Sequence, residues 1–181
     1  MENTLTTIKW VLDPAHSEVQ FKVKHLVIST VTGTFNVFGG EIITDNDDFE
    51  NASINFSIDT NSIDTNQQDR NGHLKSDDFF STEKYPTMNF VSSSFKKISG
   101  NEYKLVGDLT IRDVTKSVEL DAELGGIMVD PYGNTKAGFE VVGKINRKEY
   151  GLMWSAITEA GGVVVSDEVK LNINVQFAKQ A

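Results

Sequence analysis

Strict alternation of apolar and polar residues is the feature that most narrows what this chain can become. From Glu18 to His25 it reads EVQFKVKH, so an extended strand carries Val19, Phe21, Val23 and His25 on one face and Glu18, Gln20, Lys22 and Lys24 on the other. A period of two with so clean a split is the mark of a strand buried on one side only. The same pattern returns at Asn51–Thr60 (Ala52, Ile54, Phe56, Ile58), Tyr103–Ile111 (Tyr103, Leu105, Gly107, Leu109, Ile111) and Ser117–Leu124 (Val118, Leu120, Ala122, Leu124). It also runs through residues 137–145 (Ala137, Phe139, Val141, Gly143, Ile145) and a final strand, Val163–Phe177 (Val169, Leu171, Ile173, Val175, Phe177).

The punctuation between these runs suits hairpins. Ser99-Gly100-Asn101 separates strands at Thr87–Ile98 and Tyr103–Ile111, and Asp130-Pro131-Tyr132-Gly133-Asn134 is a strong turn signal. A first short strand spans residues 8–13. In residues 31–45 the inward phase slips between Val37 and Phe38, beside Gly39-Gly40, as at a bulge or a barrel corner. The result is eight or nine strands in one domain covering residues 1–181, with almost no helix, no internal repeat and no linker. Several strands exceed ten residues, and long antiparallel strands in one sheet of this size coil and close. A closed barrel of about eight strands is either filled by side chains or holds one small ligand, and strand length favours the ligand. A solid β-sandwich is the alternative.

One segment refuses the alternation: Thr60 to Pro86, TNSIDTNQQDRNGHLKSDDFFSTEKYP. Thr65 and Gln68 have the spacing of a helix capping box, and Pro86 cannot continue a helix. Leu74, Phe79, Phe80 and Tyr85 need a dry place. The segment reads as a short helix and turn covering one end of the barrel. Adjacent residues of a helix or turn point about 100° apart, so one of Phe79 and Phe80 is expected to face the ligand, Phe79 by our assignment, while the other packs on the rim.

Composition then removes function classes. With 17 basic and 26 acidic residues the net charge is −9, which argues against a nucleic-acid binder and disfavours anionic membrane surfaces. There is no cysteine, hence no disulfide or thiolate metal site. No apolar window nears the ~20 residues of a membrane-spanning helix, and the N-terminus lacks the basic-then-apolar pattern of a secretory leader. A soluble, cytoplasmic protein is expected. His16, His25 and His73 lie on three segments without ligand spacing, so no metal and no cofactor are expected. A hydrolase built on Asp13, His16 and Ser17, or on Arg70, His73 and Asp78, would need a nucleophile, its base and an orienting group. The chain has no Gly-x-Ser-x-Gly elbow and no glycine-rich phosphate loop. Eleven Phe against two Trp supply many rings with no polar atom to satisfy, a lining suited to a ligand without hydrogen-bonding groups.

Several short words, in order, then resemble the YceI-like, polyisoprenoid-binding proteins over nearly the whole chain. They are Trp10, Asp13, His16-Ser17 and His25-Leu26 at the start; Ser62-Ile63-Asp64-Thr65, Arg70, His73-Leu74-Lys75-Ser76, Asp78-Phe79-Phe80 and Tyr85-Pro86 in the covering segment; and later Gly107-Asp108-Leu109-Thr110-Ile111, Gly138-Phe139, Gly151-Leu152 and Trp154. The chain departs from the family pattern at Asn71, where Asp is usual after the arginine, and at Ser155, where Asn often follows the tryptophan. The resemblance implies an extended, lipocalin-like antiparallel eight-stranded barrel, all-β, holding a long isoprenoid chain, and it suggests a homodimer formed through the outer surface or rim, with Val163-Val164-Val165 exposed. The expected ligand lining is Phe21, Val23, His25, Phe35, Phe56, Ile58, Arg70, His73, Phe79, Phe90, Leu109, Ile111, Phe139 and Trp154. The expected function is carriage or sequestration of a polyprenyl phosphate or prenylquinone type of lipid. A pyrophosphate head would draw on Arg70, Lys75, Arg112 and Lys116, a quinone or phenol head on His25 or Ser17. The rival is an enzyme acting on an isoprenoid or other apolar substrate with His16, His25 or His73 as acid/base.

Overall fold

The computed structural model describes residues 7–26, 28–45, 48–154 and 165–180. Its strands are β1 (Thr7–Leu12), β2 (Glu18–His25), β3 (Ser29–Phe35), β4 (Phe38–Asp45), β5 (Asp48–Asp59), β6 (Ile63–Asp64), β7 (Thr87–Ser99), β8 (Glu102–Ile111), β9 (Val114–Val129), β10 (Thr135–Asn146) and β11 (Val165–Lys179). One α-helix, α1 (Gln68–Lys75), interrupts them. Every pairing is antiparallel, in the order β1-β4-β5-β7-β8-β9-β10-β11, and β1 pairs back to β11 to close an eight-stranded barrel.

Three of the eight staves are bent, each made of two consecutive strands. β11 pairs with β2 along its first part and with β1 at its end, so β1 and β2 are one stave with a corner between them. That corner is a 3-10 turn, Pro14–His16, in which Asp13 Oδ1 accepts from the Ala15 N–H (3.1 Å). It is stitched to β11 by the Asp13 N–H to the Gln176 carbonyl (2.8 Å) and by the Gln176 N–H to Ser17 Oγ (3.0 Å). β3 and β4 form the second stave. Their phase slips at Asn36-Val37, where Val37 turns outward and Phe38 inward, so the expected break in parity is real and falls at the junction of two strands. β5 and β6 form the third, with β6 pairing to β3.

Two strands differ from expectation. β9 does not stop at Leu124 but continues to Val129, because Gly126 at φ 154 and a register shift at Gly138/Phe139 absorb an irregularity that reads in sequence as an end. The last strand is described from Val165 to Lys179; Val163 and Val164 lie outside the described residues. The turn at Asp130 is as expected, its carboxylate accepting from the Tyr132 and Asn134 N–H groups at 2.9 Å each.

The inward faces form two apolar clusters. Trp10, Phe49, Phe95, Tyr103 and Phe139 fill one end, with Phe95 and Tyr103 stacked 4.6 Å apart. The second cluster (Val19, Phe35, Ile63, Phe79, Met88, Ile111, Tyr150 and Leu152) lies toward the covering segment. No helix among the described residues is long and apolar enough to cross a membrane.

Candidate functional site

Between the filled end and the covering segment the barrel is hollow. The cavity measures about 580 Å³, within the ~300–1,000 Å³ of pockets that enclose organic ligands. All fourteen expected lining residues border it: Phe21, Val23, His25, Phe35, Phe56, Ile58, Arg70, His73, Phe79, Phe90, Leu109, Ile111, Phe139 and Trp154. Along the staves the wall is almost wholly apolar, Gln20 excepted. The other polar wall residues are His25 at the end of β2, Gln67, Asp69, Arg70 and His73 in or beside α1, and Arg147 beyond β10.

Glycines help keep the space open. The aromatic ring of Phe21 lies over Gly33, its register partner on β3, so closely that a Cβ there would sit 2.1 Å from Phe21 Cζ. Phe90 over Gly107 and Leu120 over Gly143 repeat the arrangement. Large side chains thus lie along the wall instead of across the lumen.

The covering segment is tied shut at its base by the Thr60 N–H to the Pro86 carbonyl (2.9 Å) and Thr60 Oγ1 to the Tyr85 carbonyl (2.8 Å). Its helix is not capped by Thr65. The cap is Gln67, whose side-chain oxygen accepts from the Arg70 N–H. Thr65 is otherwise engaged: its hydroxyl donates to Asn71 Oδ1 (2.6 Å) and accepts from Arg70 Nε (2.9 Å). Asn71 Nδ2 also donates to Asp64 (3.1 Å), which a carboxylate at position 71 could not do. That bond, with the Asn66 N–H as the larger cause, holds the Asp64 carboxyl below the usual carboxylate range. After α1 the chain folds back on the helix, through the Phe80 N–H to the Leu74 carbonyl and the Thr82 N–H to the Lys75 carbonyl (3.0 Å each).

Phe79 and Phe80 do not divide into ligand and rim. Both rings border the cavity, because the turn after Ser76 sets both toward the barrel axis. Phe79 is the more deeply held, buried against His73 (ring centroids 5.1 Å) and Trp154 (5.6 Å), with the Arg147 guanidinium 5.9 Å above it. Phe80 is half-buried and meets Phe35 edge-on at 5.8 Å.

The cations are not gathered as a pyrophosphate site would need. Of Arg70, Lys75, Arg112 and Lys116, only Arg70 borders the cavity. Arg112, at φ 58 in the β8–β9 turn, instead clamps the covering segment from outside. It donates to the carbonyls of Gly151 (3.1 Å) and Phe79 (3.4 Å) and lies 5.5 Å over the Tyr85 ring. Arg70 spends two donors on Thr65 Oγ1 and the Thr65 carbonyl (2.7 Å), and no carboxylate stands in ion-pair reach of it among the described residues.

Arg147 was not anticipated. It is 4 % exposed and donates to four main-chain carbonyls: Leu152 and Trp154 (2.7 Å each), Ser166 (2.9 Å) and Val165 (3.3 Å). Burial lowers its pKa, opposed by Asp167 at 3.9 Å. The signal for it in INRKEYGL is slight: Asn146 as a turn cap and Gly151 in the left-handed conformation bracket a short turn that carries the arginine inward. Next to it the Tyr150 phenol is pushed up to about 12 by burial, and its oxygen has no hydrogen-bond partner among the described residues.

The polar groups considered for catalysis are occupied otherwise. Ser17 Oγ donates to the Asp13 carbonyl (2.7 Å) and accepts from Gln176, while exposed His16 bonds Asp13 Oδ2 (2.8 Å). Ser17 does not border the cavity, which leaves His25 alone of the two residues considered for a quinone head. His73 Nε2 bonds Asp78 at 2.9 Å, and its ring stands 4.8 Å from that of Trp154. The described residues contain no group of three or more His, Asp or Glu placed to hold a metal ion.

Comparison with known proteins agrees with this geometry. The model of the YceI-like domain matches residues 10–177. The chain belongs to the YceI-like family. A UPF0312 protein of Staphylococcus epidermidis is 39% identical over 171 residues, 94% of this chain and 97% of that one. The fold of this YceI-like chain superposes on BcnA of Burkholderia cenocepacia with a TM-score of 0.79 at 24% identity, covering 91% and 98% of the two chains. It also superposes on a polyisoprenoid-binding domain of Saccharophagus degradans, TM-score 0.73 at 17% identity, covering 94% and 98%. Those two likenesses concern the fold. Within the YceI-like barrel, Ser155 lies outside the described residues, so that departure from the family pattern has no structural account here.

Proposed function

We propose that this YceI-like protein holds the tail of a long-chain isoprenoid lipid, of the polyprenyl phosphate or prenylquinone type, inside its barrel and acts as a carrier or sequestering protein without catalysing a reaction on it. The observation that carries the reading is the distribution of polarity in the cavity: apolar along the staves, polar around the covering segment. A polyprenyl tail needs no hydrogen bonds, whereas its head group does. The structural likeness to a polyisoprenoid-binding domain supports the same choice of ligand.

The energetics suit a tail. Each buried methylene-sized group contributes ~0.8 kcal/mol, so an isoprene unit contributes roughly 2–3. Several units exceed the ~4–15 kcal/mol association cost. Affinity therefore tracks tail length, and Arg70, His73 and Gln67 orient the head. A homodimer is the assembled form this reading expects. β9 beyond Leu124 pairs only with β10, leaving an open strand edge beside exposed Ile127, Met128 and Val129, a surface on which a second copy adds its own strand.

The test is solvent extraction of the purified protein followed by mass spectrometry. An unmodified prenyl lipid is the expected result. A substrate–product mixture would favour the enzyme, and an empty extract from protein refolded with prenyl lipid would overturn the reading.

A further inference from the structure

The mouth of the barrel carries a surface that the lining does not explain. Lys144 on β10 is the register partner of Lys170 on β11, and Lys170 is the partner of Lys22 on β2. Three ammonium groups therefore stand side by side on adjacent strands, which lie ~4.8 Å apart. Lys24 follows two residues on, on the same outer face as Lys22. Like charges directly opposite one another destabilise a sheet, so this row is not there for the sake of the fold. All four lysines are exposed. Lys144 has Glu168 at 3.8 Å, whereas Lys22, Lys24 and Lys170 have no carboxylate in ion-pair reach among the described residues.

Immediately beyond the row, the β2–β3 hairpin ends in exposed apolar residues. Ile28 is 88% exposed, and Leu26 is 40% exposed at φ 55, a left-handed conformation uncommon for a leucine. The same hairpin forms the cavity rim through Val23, His25 and Val31.

We infer that this end of the barrel docks on a bilayer containing anionic lipids, with Leu26 and Ile28 entering the headgroup layer and the lysine row lying against lipid phosphates. The inference rests on the proposed lipid-carrying function and adds the place where the tail is exchanged. The net charge of −9 argues against an anionic surface only at long range. Charges more than a Debye length away, ~8 Å at physiological salt, are screened. Asp64 lies beyond β3 from the row, and the carboxylates beside the row on β11 are already paired, Glu168 with Lys144 at 3.8 Å and Asp167 with Lys148 at 3.2 Å and Arg147 at 3.9 Å. Local charge complementarity thus governs contact and sets the docked orientation, with β10, β11 and β2 toward the lipid. An apolar tip beside a basic patch is the combination that holds peripheral proteins at an interface.

The experiment is co-sedimentation with vesicles of phosphatidylcholine mixed with phosphatidylglycerol, against vesicles of phosphatidylcholine alone. The parent protein is expected to bind the mixed vesicles far more strongly. Each lysine against an anionic surface contributes about five-fold, so Lys22→Gln with Lys170→Gln lowers binding roughly thirty-fold. Because the double change relieves repulsion, its thermal midpoint is expected to equal or exceed the parent's. Ile28→Asp, at a fully exposed site, is expected to abolish binding with folding unchanged. Equal binding to both vesicle types, or a double variant that binds as tightly as the parent, would overturn the inference. So would protection of Leu26 and Ile28 from hydrogen exchange without vesicles, which would mean that a second copy covers them. Lipid extraction on the same preparation separates the two readings. Prenyl lipid without vesicle binding refutes docking and leaves the carrier standing, whereas vesicle binding by a barrel that takes up no prenyl lipid does the reverse.

Discussion

Gly33→Ala puts the hollow barrel to its most direct test. A Cβ at position 33 would lie 2.1, 2.5 and 2.9 Å from Cζ, Cε1 and Cε2 of Phe21, and the three nearest atoms are all side chain. Ordinary carbon contacts are ~3.5–4.0 Å, so the ring must retreat by about 1.5 Å, and the half-buried Phe21 borders the lumen into which it can move. Two energies oppose each other. Alanine is favoured over glycine in a strand by roughly 0.5–1 kcal/mol, and overpacking costs ~1–3 kcal/mol, including loss of the tilted contact between Phe21 and Phe35 at 5.5 Å. The net destabilisation is therefore about 0–2.5 kcal/mol, small enough to leave the barrel folded, while the cavity narrows. Urea unfolding gives the first quantity, and the amount of prenyl lipid retained per barrel after reconstitution gives the second. A variant with unchanged lipid content would refute the view that glycines hold the lumen open. So would a variant that fails to fold, since only a side chain has to move. Gly107→Ala is the contrasting control: there the Val91 carbonyl oxygen lies 2.6 Å from the added carbon, so the backbone must shift and the stability loss is larger.

Arg147→Met leaves four carbonyls without their donor, and a loss of about 3–5 kcal/mol is expected in urea unfolding; Arg147→Lys, with fewer and differently placed donors, recovers only part of it. Asp13 is held down to about 2 by its hydrogen bond to Lys136 (2.5 Å) and next by His16. A folded value below the ordinary 3.8 of an aspartate means stability that is present above about pH 4 and lost as pH falls toward 2. With the side chain 20% exposed, that contribution is about 1–2 kcal/mol after screening, so Asp13→Asn is expected to lower stability at neutral pH and to leave it unchanged near pH 2, as unfolding curves at the two pH values would reveal. Phe80→Asp sets a carboxylate at the cavity wall at a cost of several kcal/mol in contact with a lipid tail, giving a folded barrel with little lipid. Phe79→Ala, at a buried ring, costs about 3–5 kcal/mol of stability instead, and circular dichroism with lipid quantification separates the two.

How much of this was legible in the chain depends on whether a feature is local. The inward stripe of β2 (Val19, Phe21, Val23, His25) needs only alternate residues of one strand, and so does that of β8. Those residues, Gly107 apart, accordingly border the cavity or belong to the clusters around it. The capping box was misplaced because Thr65 competes for partners, Asn71 and Arg70, that a spacing rule does not weigh. Arg147 was invisible because its burial is set by carbonyls of residues 152, 154, 165 and 166, which converge on it only in three dimensions. The lysine row needs the register of β10, β11 and β2 together, which no single strand encodes.

The same distinction explains why the choice between a filled and a hollow barrel could not be closed from periodicity. Gly33, Gly107 and Gly143 occupy inward phases of their strands, where a binary pattern counts each simply as non-polar. Their effect depends on the neighbour across the ladder. Phe21 is the register partner of Gly33, Phe90 crosses toward Gly107, and Leu120 lies over Gly143. Had small residues faced small ones, the wall would be thin and the space beyond what a tail could fill; had Phe faced Phe, the rings would meet across the axis. Pairing a large side chain with a glycine gives that side chain room at the wall and leaves a lumen of about 580 Å³. The cavity is thus a property of cross-strand pairs, and the residues to vary in order to resize it are these glycines rather than the rings they support.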